Sequence, residues 1–258
     1  MRRIAWGAFA ALSLAASANA AGAPICTDRP AKANAVCTMP AGEFQLESSA
    51  VGWSRTEASG SRTKIVSFGS SVIKFGLSGR SDVQVGFTPL VRIESDGAAQ
   101  SGIGDVLVRY KHRLTGDDDK VQVALIPFVK LPTAKRGIGN RKVEGGLAVP
   151  VSLAIGRGVT ATFGPELDLL ADADGDGRHV ALVNLINLSG TVAPRLTLAG
   201  ELWSNFNFDP AGTVKQASAD AALAYAVTND LQLDAGANFG LTRDTADVEI
   251  YAGVSVRF

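Results

Sequence analysis

Histidine is nearly absent from this 258-residue chain, His112 and His179 being the only two. Cysteine is equally scarce, with Cys26 and Cys37 alone, and neither histidine lies near them, which argues against a thiolate–imidazole metal centre. No sign of charge prevails: 25 Lys and Arg stand against 25 Asp and Glu. The chain therefore has no net field to draw it to nucleic acid or to an anionic membrane surface. Beyond the first twenty residues no window of about 18 apolar residues occurs, which excludes a membrane-spanning helix from the rest.

The opening stretch has Arg2 and Arg3, then the apolar "IAWGAFAALSLAA", then the small-residue sequence Ala18-Asn19-Ala20. That pattern predicts an export signal over residues 1–20, with an apolar run too short to span a bilayer. In an exported chain the two cysteines are most economically a disulfide, closing a small loop within residues 21–41. Ala23-Pro24-Ile25 before Cys26 does not match a lipoprotein cleavage site. This segment is expected on the periplasmic side.

From residue 42 to 258 the chain falls into twelve segments of period-two alternation, separated by Gly, Asp, Asn, Pro and Ser. They lie near 43–54, 64–77, 81–94, 103–114, 120–131, 144–155, 158–170, 179–192, 195–208, 214–227, 230–242 and 247–258. Such segments exceed the usual ~5–6 residues of a globular strand and match the ~9–11 tilted residues that cross a bilayer. Connections such as "SGR", "GRG", "APR" and "TND" are tight, whereas "SDGAAQS", "PTAKRGIGNRKV" and "ADADGDG" are longer. Short turns at one end and longer loops at the other are the habit of outer-membrane barrels. Because lipid leaves no partner for an open sheet edge, the prediction is an all-β, closed antiparallel transmembrane barrel of about twelve strands. Its terminal strand would pair with the first, near Glu43 to Trp53. Residues 21–41 would either enter this barrel or sit at its periplasmic mouth, and the sequence leaves both open. Strand 2 changes phase near Ser70-Ser71, which suggests a bulge, and Asn184 stands unexplained among Val180, Leu182, Ile186 and Leu188.

"GIGDVLVRYKHRL" at 102–114, "PFVKLPT" at 127–133, "LQLDAGANFGLT" at 231–242 and the Phe-terminated last strand resemble a family of Gram-negative outer-membrane proteins. That family is labelled for the MetA-pathway of phenol degradation and is often called "transporter". The resemblance spans nearly the whole mature chain. It implies residence in the outer-membrane lipid of a Gram-negative bacterium and the passage of small, aromatic or hydrophobic solutes; it brings no catalytic motif and no cofactor. Barrels of this class end in an aromatic residue with apolar residues at alternate positions, read by the assembly machinery. Ile250, Ala252, Val254, Val256 and Phe258 match that signal.

On the face opposite the apolar one, the charges divide. Arg92, Arg109, Lys111, Arg113 and Lys130 form a basic arc, with Asp105 on the same face, and Glu166, Asp168, Glu201, Asp220, Asp234 and Glu249 form an acidic one. Trp53, Trp203 and Tyr251 are expected to point inward beside them. In a wet channel such arcs set up a transverse field. The alternative is a non-conducting structural or surface-interaction barrel, whose arcs meet and fill a lumen of intermediate width. In "DADGDG", Asp172, Asp174 and Asp176 resemble the start of an EF-hand loop. Val183 holds the twelfth position where a bidentate Glu is needed, leaving only a weak calcium candidate. An outer-wall lipid hydrolase would require His followed two residues later by Ser, whereas "HRL" and "HVA" occur, so no enzyme is expected.

Overall fold

The computed structural model describes residues 24–58 and 60–258; the expected export signal, residues 1–20, lies outside them. Sixteen strands occur in the order β1 (Phe44–Ala58), β2 (Ser61–Ser78), β3 (Ser81–Phe87), β4 (Leu90–Ser95), β5 (Ala98–Gly102), β6 (Val106–Arg113), β7 (Val121–Leu131), β8 (Glu144–Ala148), β9 (Val151–Gly156), β10 (Val159–Phe163), β11 (Glu166–Ala171), β12 (Arg178–Ala193), β13 (Leu196–Asn207), β14 (Val214–Ala226), β15 (Leu231–Gly240) and β16 (Val248–Arg257). β1 pairs antiparallel with both β2 and β16, so the sheet closes on itself. Four staves are each cut once, β3 from β4, β5 from β6, β8 from β9 and β10 from β11, and the result is a closed antiparallel barrel of twelve staves.

Three cuts fall at Pro89, Pro150 and Pro165, the fourth at Gly104. Proline brings no N–H to the ladder, so a strand is interrupted where it stands. The wall stays laced across these points: Val149 donates to the Pro165 carbonyl at 2.9 Å and Ala124 to that of Pro150 at 3.1 Å. One expected loop is not a loop. In "SDGAAQS" both flanking strands continue to a two-residue turn at Asp96 and Gly97, with φ of 49° and 87°. An Asp-Gly pair in that left-handed region is the turn whose twist suits a hairpin.

Burial runs opposite to that of a protein folded in water. Gln45, Glu47, Lys74, Asp82, Gln84 and Lys111 are buried, whereas Leu202, Phe206, Leu233 and Ile250 are exposed. Apolar side chains around the whole circumference face out, an arrangement that water would penalise and lipid requires. At the lower rim, where β16 ends, the Phe44 and Phe75 rings lie 4.5 Å apart and Phe258 is exposed beside them.

The alternation reverses once in the first three staves. β1 slips one residue against β16 between Ser49 and Val51. Gly69 in β2 has φ of 64°, and the third stave is cut at Thr88-Pro89. Above these points the two faces exchange. Trp53 lies directly opposite Val66 and Ile250, and Val66 opposite Arg92. Directly paired residues share a face, and Ile250 is outward, 49% exposed. Arg92, expected inside, therefore stands on the outer wall, and so does Trp53; Ile65, Val91 and Ile93 turn inward instead. An Arg on the lipid face costs roughly 2–4 kcal/mol at mid-bilayer but only ~0–1 near the interface, and Arg92 lies toward the upper rim. The phase change expected at Ser70-Ser71 is thus real and centres on Gly69. Asn184 is likewise outward, directly opposite Ser204.

Candidate functional site

Residues 24–41 run inside the ring of strands. Ile25 donates to the carbonyl of Asn229, in the turn between β14 and β15 at the lower rim, at 2.8 Å. Cys26 and Cys37 form the expected disulfide. Met39 is buried, and its N–H reaches Asp82 Oδ2 at 3.0 Å. Where the segment leaves the lumen, Gly76 of the wall lets the Pro40 carbonyl lie against the strand in space that any side chain would fill.

The charges of this segment are opposite to those of the wall they meet. Asp28 lies against the basic arc: its oxygens reach Lys111 Nζ and Lys74 Nζ at 2.7 Å each and Arg109 at 3.6 Å. Arg29 and Lys32 lie against the acidic arc. Arg29 bonds Asp234 at 2.5 and 3.1 Å and Ser49 at 2.6 Å, with its guanidinium 5.7 Å from the Tyr251 ring. Lys32 Nζ bonds Asp220 at 2.7 Å and Ser218 at 2.8 Å, 4.8 Å from the Trp203 ring. Glu201 accepts the N–H groups of Lys32 and Ala33 at 3.1 and 3.0 Å. The arcs do not meet each other; a loop of complementary charge stands between them. At Gly253 the wall again lacks a side chain where one would collide with the Arg29 guanidinium.

Two buried residues central to this lattice are not marked in the sequence. Lys74 Nζ bridges Asp28 at 2.7 Å and Glu47 at 2.5 Å, and Glu47 also accepts the Asp28 N–H. Only their inner-face position relative to the apolar residues of their strands would have distinguished them.

The remaining expected residues serve elsewhere. Lys130 joins Glu144 at 2.7 Å and Asp105 at 3.4 Å near the upper rim, where Asp105 also accepts the Ala134 N–H of the loop at 132–143. Arg113 pairs with Asp117 and the Gly79 carbonyl at the lower rim. Glu249 accepts from Asn238 at 2.8 Å. Glu166 and Asp168 face the interior from β11, and Asp168 Oδ1 is buried without a hydrogen-bond partner. Between segment and wall lies a cavity of about 350 Å³, lined by Lys32, Asn34, Ala148, Pro150, Gly164, Glu166, Val183, Leu185 and Trp203. In the loop of the calcium candidate, Asp172 engages His179 Nδ1 at 2.8 Å and Asp174 accepts the Asp176 N–H. Among the described residues no three His, Cys, Asp or Glu side chains converge as metal ligands. His112 lies beside Tyr110, 3.4 Å from its hydroxyl.

Burial alone would raise the pKa of Asp28, but Lys111, Lys74 and Arg109 outweigh it and hold its carboxyl well below the ordinary range. Its attraction to the wall is thus complete above the ordinary carboxylate range and is lost only as pH falls below that range. Docking of the segment, followed by the accessibility of a label at Asn34, should be unchanged between pH 5 and 8. Release within that window would assign the latch to another group.

The model of the family described as "Putative MetA-pathway of phenol degradation" matches residues 27–258. No curated relative matches the chain. Among solved structures, an outer membrane channel from Pseudomonas putida F1 superposes with a TM-score of 0.71 at 13% identity, covering 86% of this chain and 98% of its own. The NanC porin gives 0.56 at 13%, covering 82% and 98%. The translocator domain of the autotransporter NalP from Neisseria meningitidis gives 0.54 at 14%, covering 85% and 90%. At these identities the likeness is one of fold: the outer-membrane barrel.

Proposed function

The chain belongs to this family, and from that premise we propose that it is a passive outer-membrane channel for small solutes with an apolar or aromatic body. Residues 24–41 act as an internal constriction on the periplasmic side. One observation carries this reading: the interior is polar and charged, yet it holds apolar surface where a bare salt-bridged lumen needs none. Ile65, Val91 and Ile93 turn inward above the constriction, and Val183, Leu185 and Trp203 line the cavity beside it. A pocket of apolar walls with a few convergent polar groups suits a small ring bearing one polar substituent. The inner charges that the segment leaves unengaged, Asp105, Glu166, Asp168 and Glu249, keep the path wet. An export signal at residues 1–20, the assembly machinery acting on Ile250 to Phe258, and outer-membrane lipid around the wall complete the reading.

A second reading, a non-conducting structural barrel, draws support from the way Asp28, Arg29 and Lys32 engage opposite sides of the lumen. Two measurements separate the readings. Purified protein in planar bilayers should give discrete conductance steps, and cells lacking it should take up single-ring aromatic solutes more slowly than wild type at low external concentration. Silence in the bilayer together with unchanged uptake would leave only the structural barrel.

A further inference from the structure

The exchange of faces in the first three staves leaves cations on the lipid side. Reading outward positions up from the reversal, β1 presents Trp53 and Arg55, β2 presents Val66, Lys64 and Arg62, and β4 presents Leu90, Arg92 and Glu94. Their height is set by the register. Strands rise about 3.3 Å per residue and tilt roughly 40° in such barrels. The eight residues from Phe258 up to Ile250, the partner of Trp53, therefore climb roughly 20 Å, and two more, to Val248 opposite Arg55, bring the total to roughly 25 Å. The apolar band is about 25 Å tall, and each step across a ladder of strands tilted this way climbs roughly 3 Å more, so Trp53 lies near the upper edge of the band and Arg92 and Lys64 a few ångströms above it, at headgroup height.

The carboxylates here do not satisfy these cations. Glu57 is taken by Arg62 at 2.7 Å and by Arg55 at 4.0 Å. Neither Arg92 nor Lys64 has a carboxylate within 4.0 Å among the described residues, although Glu94 stands opposite Lys64. Arg92 and Lys64 are diagonal neighbours on paired strands, a spacing of about 7–8 Å that long side chains close on one shared anion. An unpaired guanidinium and ammonium just above the edge of the hydrocarbon, beside an interfacial tryptophan, match a phosphate at headgroup depth.

We propose that the outer wall formed by β1, β2 and β4 is a docking site for a phosphorylated lipid of the outer leaflet, with Arg92 and Lys64 gripping its phosphate. The inference rests on residence in the outer membrane and not on conduction. The test is lipid retention by the full-length protein, measured by native mass spectrometry after incubation with diphosphorylated lipid A or with the same lipid stripped of phosphate. Wild type should retain the phosphorylated form about tenfold better. Combining Arg92→Gln with Lys64→Gln should abolish that preference, and Arg92→Lys with Lys64→Arg should restore it. Millimolar inorganic phosphate should not displace the lipid. Equal retention of both lipids by wild type, or a preference that survives the double Gln variant, would overturn the proposal. Displacement by inorganic phosphate would overturn the lipid as the occupant. If the Gln variants do not fold, Arg92→Lys alone still reports: it should keep the preference, and its loss in a heat-modifiable, folded barrel would count against a charge-based site. Bilayer conductance should be the same for all variants, so a failed channel reading leaves this result untouched.

Discussion

Asp28→Asn is expected to raise conductance in planar bilayers and to expose residues 24–41 to externally added labels. Asp28 is the one acidic anchor on the basic side of the lumen, shared by Lys111, Lys74 and Arg109. Removing one partner of a buried ion pair leaves the other charge stranded, at a cost of about 3–5 kcal/mol. Lys74 keeps Glu47 at 2.5 Å, which places the expected loss toward the lower figure. A loss of about 3 kcal/mol weakens docking by roughly 100-fold. The barrel itself should survive, since none of its ladders passes through residue 28. The effect should be smaller for Lys32→Gln, because Glu201 would still hold the backbone there through two N–H groups. Higher label access without a change in conductance would show that the segment does not limit flow.

Deleting Phe258 should separate recognition from stability. Its N–H bonds the Phe44 carbonyl at 2.8 Å and its carbonyl accepts the Phe44 N–H at 3.4 Å. Two such bonds contribute about 1–3 kcal/mol together, so a barrel refolded into detergent should lose only about that much stability. In cells the folded, heat-modifiable form should fall far more than this if the assembly machinery reads the terminal alternation as proposed, since the ring is its last element. Phe258→Tyr should restore it. If the loss in cells matches the modest loss in detergent, the ring matters only for the seam between β1 and β16.

The barrel was legible because its cause is local. Period-two alternation over long segments appears in every stave, and neither the four cuts nor the hairpin at Asp96-Gly97 disturbs the count. What escaped is what depends on phase. Arg92 sits in "TPLVRIE", where alternation extended from Val83 and Val85 assigns it to the inside. Pro89 interrupts that count, and a one-residue slip moves every later side chain to the other wall. The two arcs were visible as charges but not as a site, because their partners, Asp28, Arg29 and Lys32, lie in a segment without periodicity. Lys74 and Glu47 were hidden for a related reason: a single charge in a strand has no pattern of its own.

The positions of those anchors also bear on how the barrel closes. Residues 24–41 touch β1 through Glu47 and Ser49, β2 through Lys74, and β6 through Lys111, all early in the chain. They then touch β13, β14 and β15 through Glu201, Asp220 and Asp234, close to its end. The loop joined by Cys26 and Cys37 thus spans the seam from within, holding the first strand and the last few at their final spacing. Docking of the segment and closure of the wall are therefore coupled, because its full set of ion pairs exists only when the first strands and the last ones stand around it together.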